Sequence, residues 1–423
     1  MCMGAGGMAS PDAGTARFAQ LDGVRGLAAL MVALSHFVLA FQPALLGGET
    51  DLAHFAASAL ISHTPLIFLF NPELGVAIFF TLSGFVLAAS VTAKPTRFVE
   101  LAVRRWLRLA LPILGSTLLI WPLAHWQLFR SVEAAPLAKS SWLGMNYFWL
   151  TFEPNDLLLL VWQSLVDVFA RARAYYNLAL WTMPIEFWGS MGLYATYCLI
   201  PRVMARPGAG IAVALLALAA VWRTNYFGFP CGVTLFETLR LWRRLPPARR
   251  EKLAPLAGPL GCGLLIAGVL MGGNPYNIDL AAHGPYGRLF LTLSPWIENP
   301  VLLVHRLGAV ALVAAALPWL PMRRVLTTRP IQWLGRVSFM VYLCHVPIIC
   351  SLVAAGFLWL APTLGYNWAT AVLLPVFLAT LFVVAEVATR LFDAPAIFLA
   401  RRIGRAVGAV ARRLGARTRP ASA

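Results

Sequence analysis

The chain has 423 residues, 60% hydrophobic and only 12% charged, with a formal net charge of +17 and a mean hydropathy of +0.73. A soluble protein of this length needs far more surface charge, so the composition excludes that class and leaves a polytopic membrane protein. The basic residues fall in short clusters between apolar runs, with no Gly-rich phosphate loop or aromatic-basic module, so they speak for orientation in a bilayer and against nucleic-acid binding.

Residues 1–20 are rich in small residues, lack the apolar core of a secretory signal and are expected to be disordered. Apolar runs long enough to cross a hydrocarbon core of about 30 Å then follow. They lie near 24–42, 75–93, 107–127, 180–200, 208–224, 226–241, 257–272, 298–320, 332–358 and 367–391. The run at 226–241 is the weakest, being short and carrying Glu237. The expected fold is an all-α integral membrane protein of about ten transmembrane helices, with one membrane domain over 21–394.

Placing the N-terminus in the cytoplasm puts Lys94, Arg97, Arg104, Arg105, Arg202, Arg206, Arg240, Arg243, Arg244, Arg323, Arg324 and the basic C-terminal tail on one side. The other side keeps only Arg130, Lys139, Arg171, Arg173 and Arg288. That asymmetry is the positive-inside pattern, and it leaves both termini cytoplasmic. The long outer connection 128–178 carries Trp142, Tyr147, Phe148 and Trp149, suited to an interface position or a lid. In the tail, 395–423, Ile397, Ile403, Val407, Val410 and Leu414 share one helical face opposite five arginines. That pattern fits a helix on an anionic inner leaflet, or a solvated, frayed end. Six scattered cysteines show neither CxxC nor Cys/His metal spacing.

Charged and titratable residues inside apolar runs need a partner or a task. Within LDGVRGLAALMVALSHF, residues 21–37, Asp22, Arg25 and His36 lie on one helical face. Arg25 and His36 are separated by about 16 Å along the axis, so the face carries a cation at its mouth and an imidazole about 18 Å deep. The same rise per residue puts His345 near 20 Å, Glu186 near 21 Å, and Ser83 and Arg306 near 18 Å. Several helices thus offer polar groups at one level. Each also has a structural reading. His36 could bond a neighbouring helix, and Glu186 could be a neutral acid or half of a buried pair with Arg306. Ser83 could bond back to its own helix, Gly84 could serve close packing, and His345 could cap a carbonyl freed by Pro347. Glu386 is explained by an i,i+4 pair with Arg390. In RRWLRLALP, Arg105 and Arg108 share a face, either as membrane anchors or as a guanidinium grip on phosphate.

The stretches LDGVRGLAALMVALSHF, GVAIFFTLSGFVL, RRWLRLALP, LWTMPIEFWGSM and LGRVSFMVYLCHVPI resemble, in order, those of acyltransferase family 3. The likeness runs from residue 21 to about 347, and the WTMPIEF block resembles a branch of that family. It implies transfer of an acyl group, usually acetyl, from cytoplasmic acyl-CoA to a hydroxyl of a sugar or other acceptor. By the same likeness His36 stands at the family's essential histidine, Arg25 at its paired arginine, Arg105 and Arg108 at its arginine pair, and Glu186 at its later acid. Many members carry two adjacent histidines where this chain has Ser35-His36, leaving Ser35 as a hydrogen-bond partner to consider.

The residues suit that chemistry. An imidazole with an unperturbed pKa of about 6.5 can take an alcohol's proton at neutral pH. Arg25, Arg105 and Arg108 could hold the phosphates of acyl-CoA while its thin arm reaches about 16 Å to His36. Acyl-CoA is then a co-substrate, with no metal and no other cofactor expected. The partners are acyl-CoA, a hydroxylated acceptor and the bilayer. A proton-coupled transporter is the alternative, although no internal repeat relates the two halves.

Overall fold

The computed structural model describes residues 18–47, 50–55, 58–62, 64–94, 96–147, 156–206, 208–275, 287–318 and 320–417. Residues 1–17, Phe148 and Trp149 lie outside them, while Ala19 and Gln20, expected in the disordered segment, already belong to the first helix. Among the described residues the chain is helical, with no strand.

Twelve helices set the architecture: α1 Ala19–Phe41, α2 Pro72–Ala93, α3 Phe98–His125, α4 Met183–Leu199, α5 Ala209–Val221, α6 Gly228–Arg244, α7 Ala257–Gly272, α8 Pro300–Ala315, α9 Arg329–Ile348, α10 Ala354–Leu364, α11 Tyr366–Ala388 and α12 Ala394–Arg417. They cover all the expected apolar runs. Among the described residues, six helical stretches are long and apolar enough to cross a membrane: α1, α2, α3, Pro247–Gly272, Arg329–Leu364 and Tyr366–Arg413. A seventh is added if α8 and Leu320–Leu326, bent by 94°, form one span. The shortfall from ten is a matter of length. α5 has 13 residues, about 20 Å of helix against a core of about 30 Å.

α9 is the most buried crossing, with 89% of its apolar stretch inside the protein for Arg329–Leu364, whereas the stretch containing α7 is 11% buried. A helix apolar all round belongs in the centre or against lipid, and this fold uses both. α1 packs along α9 on glycine. A Cβ on Gly26 would stand 2.6 Å from Gly335 N, and one on Gly335 would stand 2.4 Å from Asp22 O. The DGVRG segment is thus a close-packing face as well as a charged one. The α2–α6 crossing is equally tight: a Cβ on Gly84 would lie 2.1 Å from Phe229 O, consistent with the close-packing reading of Gly84. Gly84→Ala is expected to cost about 1–3 kcal/mol and to lower the melting temperature in detergent; an unchanged melting temperature would contradict this contact.

Two breaks in regular helix aim side chains. Pro347 cannot bond Leu343 O, and a π turn, Ile349–Val353, follows. The freed carbonyl accepts from Asn177 Nδ2 at 2.7 Å, so His345, which donates to Tyr342 O, is not its cap. A second π turn, Thr389–Asp393, ends α11 and turns Asp393 onto α3.

The C-terminal helix packs on α3 through small residues. Its buried stripe is Ala396, Ala400, Gly404 and Gly408, with the last two against Arg104 and Glu100 of α3. Ile403 and Val410 are exposed. Small residues let helix backbones approach, so they mark the packed face and leave the larger apolar side chains outside. The long connection after α3 is a packed cap. Ser140 Oγ donates to Leu39 O at 2.8 Å, Arg130 N to Cys350 O at 2.9 Å, and Tyr147 is buried.

Candidate active site

The starts of α1 and α9, the first half of α3 and the end of α11 meet at one end of the bundle, the basic end. Arg25 pairs with Asp22 at 2.9 Å, one helical turn away. It also crosses to α9, donating to Ser338 Oγ and Gly335 O, each at 3.1 Å. Arg105 pairs with Glu186 of α4 and donates from Nε to Ser190 Oγ at 2.8 Å. Ser83 Oγ donates to the same Glu186 carboxylate, not to its own helix. Arg108 pairs with Asp393. Arg336 holds Glu386 at 2.7 Å, and Arg390 holds the other oxygen of that carboxylate at 2.7 Å. The expected Arg390 pair is present, with Arg336 added.

These groups surround a cavity of about 310 Å³ lined by Arg25, Ser83, Arg105, Arg108, Glu186 and Arg336. Four arginines, Arg25, Arg105, Arg108 and Arg336, line it against two acids, Glu186 and Asp393, so its lining is net positive and suits a multiply charged anion.

His36 lies toward the far end. Its Nδ1 donates to Val32 O at 2.8 Å. His345 Nδ1 donates to Tyr342 O at 2.7 Å, which leaves its Nε2 an acceptor 3.2 Å from His36 Nδ1. The carbonyls therefore assign the tautomers: His36 carries its proton on Nδ1, and its Nε2 presents a free lone pair. Ser35 bonds back to Val32 O and takes no part. The Trp142 ring lies 5.2 Å from the His36 ring, so the cap reaches the imidazole directly.

His36 and His345 line a second cavity of about 780 Å³, with Trp142, Trp181, Glu73 and Arg306. Val76, Phe80 and Tyr342 line both cavities. Val76 and Phe80 are one turn apart on α2, and Tyr342 faces them from α9, its hydroxyl donating to Ala179 O at 2.9 Å and lying 2.9 Å from Thr182 Oγ1. The dividing wall is thin, apolar and fixed on the Tyr342 side.

The expected single polar layer is thus divided between two chambers. His36, His345 and Arg306 line the far one; Ser83 and Glu186 line the basic one with Arg25, Arg105 and Arg108. Glu186 pairs with Arg105 rather than Arg306, and His36 is oriented by Val32 O and His345 rather than by Glu186. Sequence reasoning missed Glu73, Arg336, Tyr342 and Asp393. Asp393 follows the last apolar run by two residues beside Arg390, where an acid looks like surface. Only the π turn reveals its direction.

A histidine with a free nitrogen thus lines a cavity that shares its wall with an arginine-lined chamber. The acyltransferase-domain profile of acyltransferase family 3 matches residues 18–390, and the chain belongs to that family. It is also similar to the O-acetyltransferase PaAT-1 of Phomopsis amygdali, with 24% identity over 366 residues, covering 78% of this chain and 72% of that protein. No solved structure matches.

Proposed function

We propose that this acyltransferase moves an acyl group, usually acetyl, from acyl-CoA to a hydroxyl of a carbohydrate or other hydroxylated acceptor. In this reading the basic end faces the cytoplasm, which the clustering of arginines there favours, and an even number of crossings puts both termini on that side. Membership of the family and the O-acetyltransferase relative support acyl transfer to oxygen. The observation that carries the reading is the shared wall between the arginine chamber and the chamber of His36.

In this mechanism the nucleotide end of acyl-CoA sits among Arg25, Arg105, Arg108 and Arg336. Its phosphates exchange with the Glu186 and Asp393 carboxylates for guanidinium forks. The pantetheine arm passes Val76, Phe80 and Tyr342 and brings the thioester carbonyl beside His36. His36 Nε2 takes the proton of the acceptor hydroxyl as its oxygen attacks that carbonyl. The C–S bond then breaks, and the departing thiolate receives the proton from the imidazolium, giving ester and free CoA thiol. While protonated, His36 is held through Nδ1–H by Val32 O and His345 Nε2, so the developing charge meets two acceptors already in place.

The test is release of CoA thiol from acetyl-CoA by the protein in nanodiscs, with and without a panel of hydroxyl acceptors, wild type beside His36→Ala. Release that requires His36 and rises with one acceptor supports the reading; a wild type that neither binds nor consumes CoA contradicts it and favours proton-coupled transport. The shared wall gives a second expectation. Val76→Trp fills the passage, so it should abolish thiol release while acetyl-CoA still binds by calorimetry within about threefold of wild type. Retained turnover would contradict passage past Val76.

A further inference from the structure

Arg306 is 8% exposed. Its Nη2 donates to Asn225 Oδ1 at 2.8 Å, and no other hydrogen bond of its five-donor fork is found among the described residues. A guanidinium buried in this way is costly unless its remaining donors are used. They are not sealed in protein, because Arg306 lines the far cavity with His36. Glu73 lines it too, with the fully buried His305 ring behind it, His305 Nδ1 lying 3.5 Å from Glu73 Oε2. His305 Nε2 donates to Asn274 O at 3.0 Å, which fixes the ring behind the carboxylate. The result is a carboxylate and a guanidinium, the latter held by Asn225, on the wall of the chamber that holds the reacting histidine.

We infer that Glu73 and Arg306 form an acceptor subsite that reads neighbouring hydroxyls, so that the acceptor is a polyhydroxylated compound held by one part while another of its hydroxyls reacts at His36. This rests on the acyl-transfer reading and extends it to recognition of the acceptor. A carboxylate accepts from one hydroxyl and a guanidinium donates to the next, a complementary pair that a compound with a single hydroxyl cannot satisfy. A site built to hydrogen-bond a substrate hydroxyl discriminates strongly against an analogue lacking it, because its own buried polar groups are left unpaired. The Trp142 and Trp181 side chains on the same cavity offer apolar faces for the carbon skeleton.

The experiment uses full-length protein in nanodiscs with saturating acetyl-CoA. Glycerol and methyl α-D-glucopyranoside serve as vicinal polyols, and 1-propanol as the single-hydroxyl control. The wild type should acetylate at least one polyol about tenfold or more efficiently per hydroxyl than propanol. Glu73→Gln and Arg306→Gln should each raise that polyol's KM by about tenfold or more. The KM for acetyl-CoA should stay within about twofold, which also shows that the variants are folded, and the ratio of polyol to propanol efficiency should fall about tenfold or more. Arg306→Lys, which keeps the charge and loses the fork, should resemble Arg306→Gln. Equal use of polyols and propanol, or variants that depress both together, would overturn the subsite. Thiol release that no acceptor raises above the level of the His36→Ala variant would remove the acyl-transfer reading and this inference with it.

Discussion

Arg105→Ala is expected to destabilise the protein by about 3 kcal/mol and to raise the KM for acetyl-CoA by about tenfold or more. The two effects have different origins and can be separated. Arg105 and Glu186 are both largely buried, with side chains 15% and 13% exposed. Removing the cation leaves the Glu186 carboxylate with the Ser83 hydroxyl, and breaking a buried pair from one side is where its cost lies. Glu186→Gln in the same chain removes the stranded charge, so the double variant should recover most of the melting temperature. It should not recover the donor KM, because the guanidinium that takes the phosphate is still missing. Recovery of both would reduce Arg105 to a structural cation; recovery of neither would mean that the pair organises more than this cavity.

His36→Ala should lower turnover by about 10²–10⁴-fold, the range of a positioned general base, with acetyl-CoA affinity unchanged, since the arginine chamber lies on the other side of the Tyr342 wall. His345→Ala should be milder. His345 acts through His36, sharing the Nδ1 proton at 3.2 Å, and Val32 O still orients the ring at 2.8 Å. His345 is therefore a positioning residue. Its loss should lower kcat with little change in donor KM and shift the pH profile of kcat, and His345→Gln, which retains an acceptor, should restore part of the rate. A donor KM that rises with either histidine variant would place His36 and His345 in the binding of CoA instead.

What could be read in advance follows from local geometry. The rise of a helix sets the depth of His36 relative to Arg25 in any register, so the spacing in residues 21–37 carried physical meaning. Glycines 23 and 26 were visible in the same segment. Pairing was not visible. Arg105 and Glu186 are 81 residues apart and His36 and His345 are 309 apart, and nothing local selects Glu186 for Arg105 over Arg306. Depth along a helix also does not say which side of a wall a group faces. Ser83 and His36 were expected at the same level, yet Val76, Phe80 and Tyr342 stand between their chambers. The partner of the tail was not visible either: α12 packs on α3 through Ala396, Ala400, Gly404 and Gly408 and leaves Ile403 and Val410 outside, because between helices close approach counts for more than apolar bulk.

In the proposed mechanism donor and acceptor reach His36 from opposite faces of the membrane, through chambers that share the wall of Val76, Phe80 and Tyr342. The most direct measurement is sided transfer in proteoliposomes of a single orientation, set by protease access to the basic C-terminal tail. Radiolabelled acetyl-CoA is confined to the tail side and a membrane-impermeant hydroxylated acceptor to the other. The account predicts labelled ester on the acceptor side, lost in His36→Ala and in Val76→Trp, and none when the donor is placed on the acceptor side. Transfer only when both substrates share one face would contradict it.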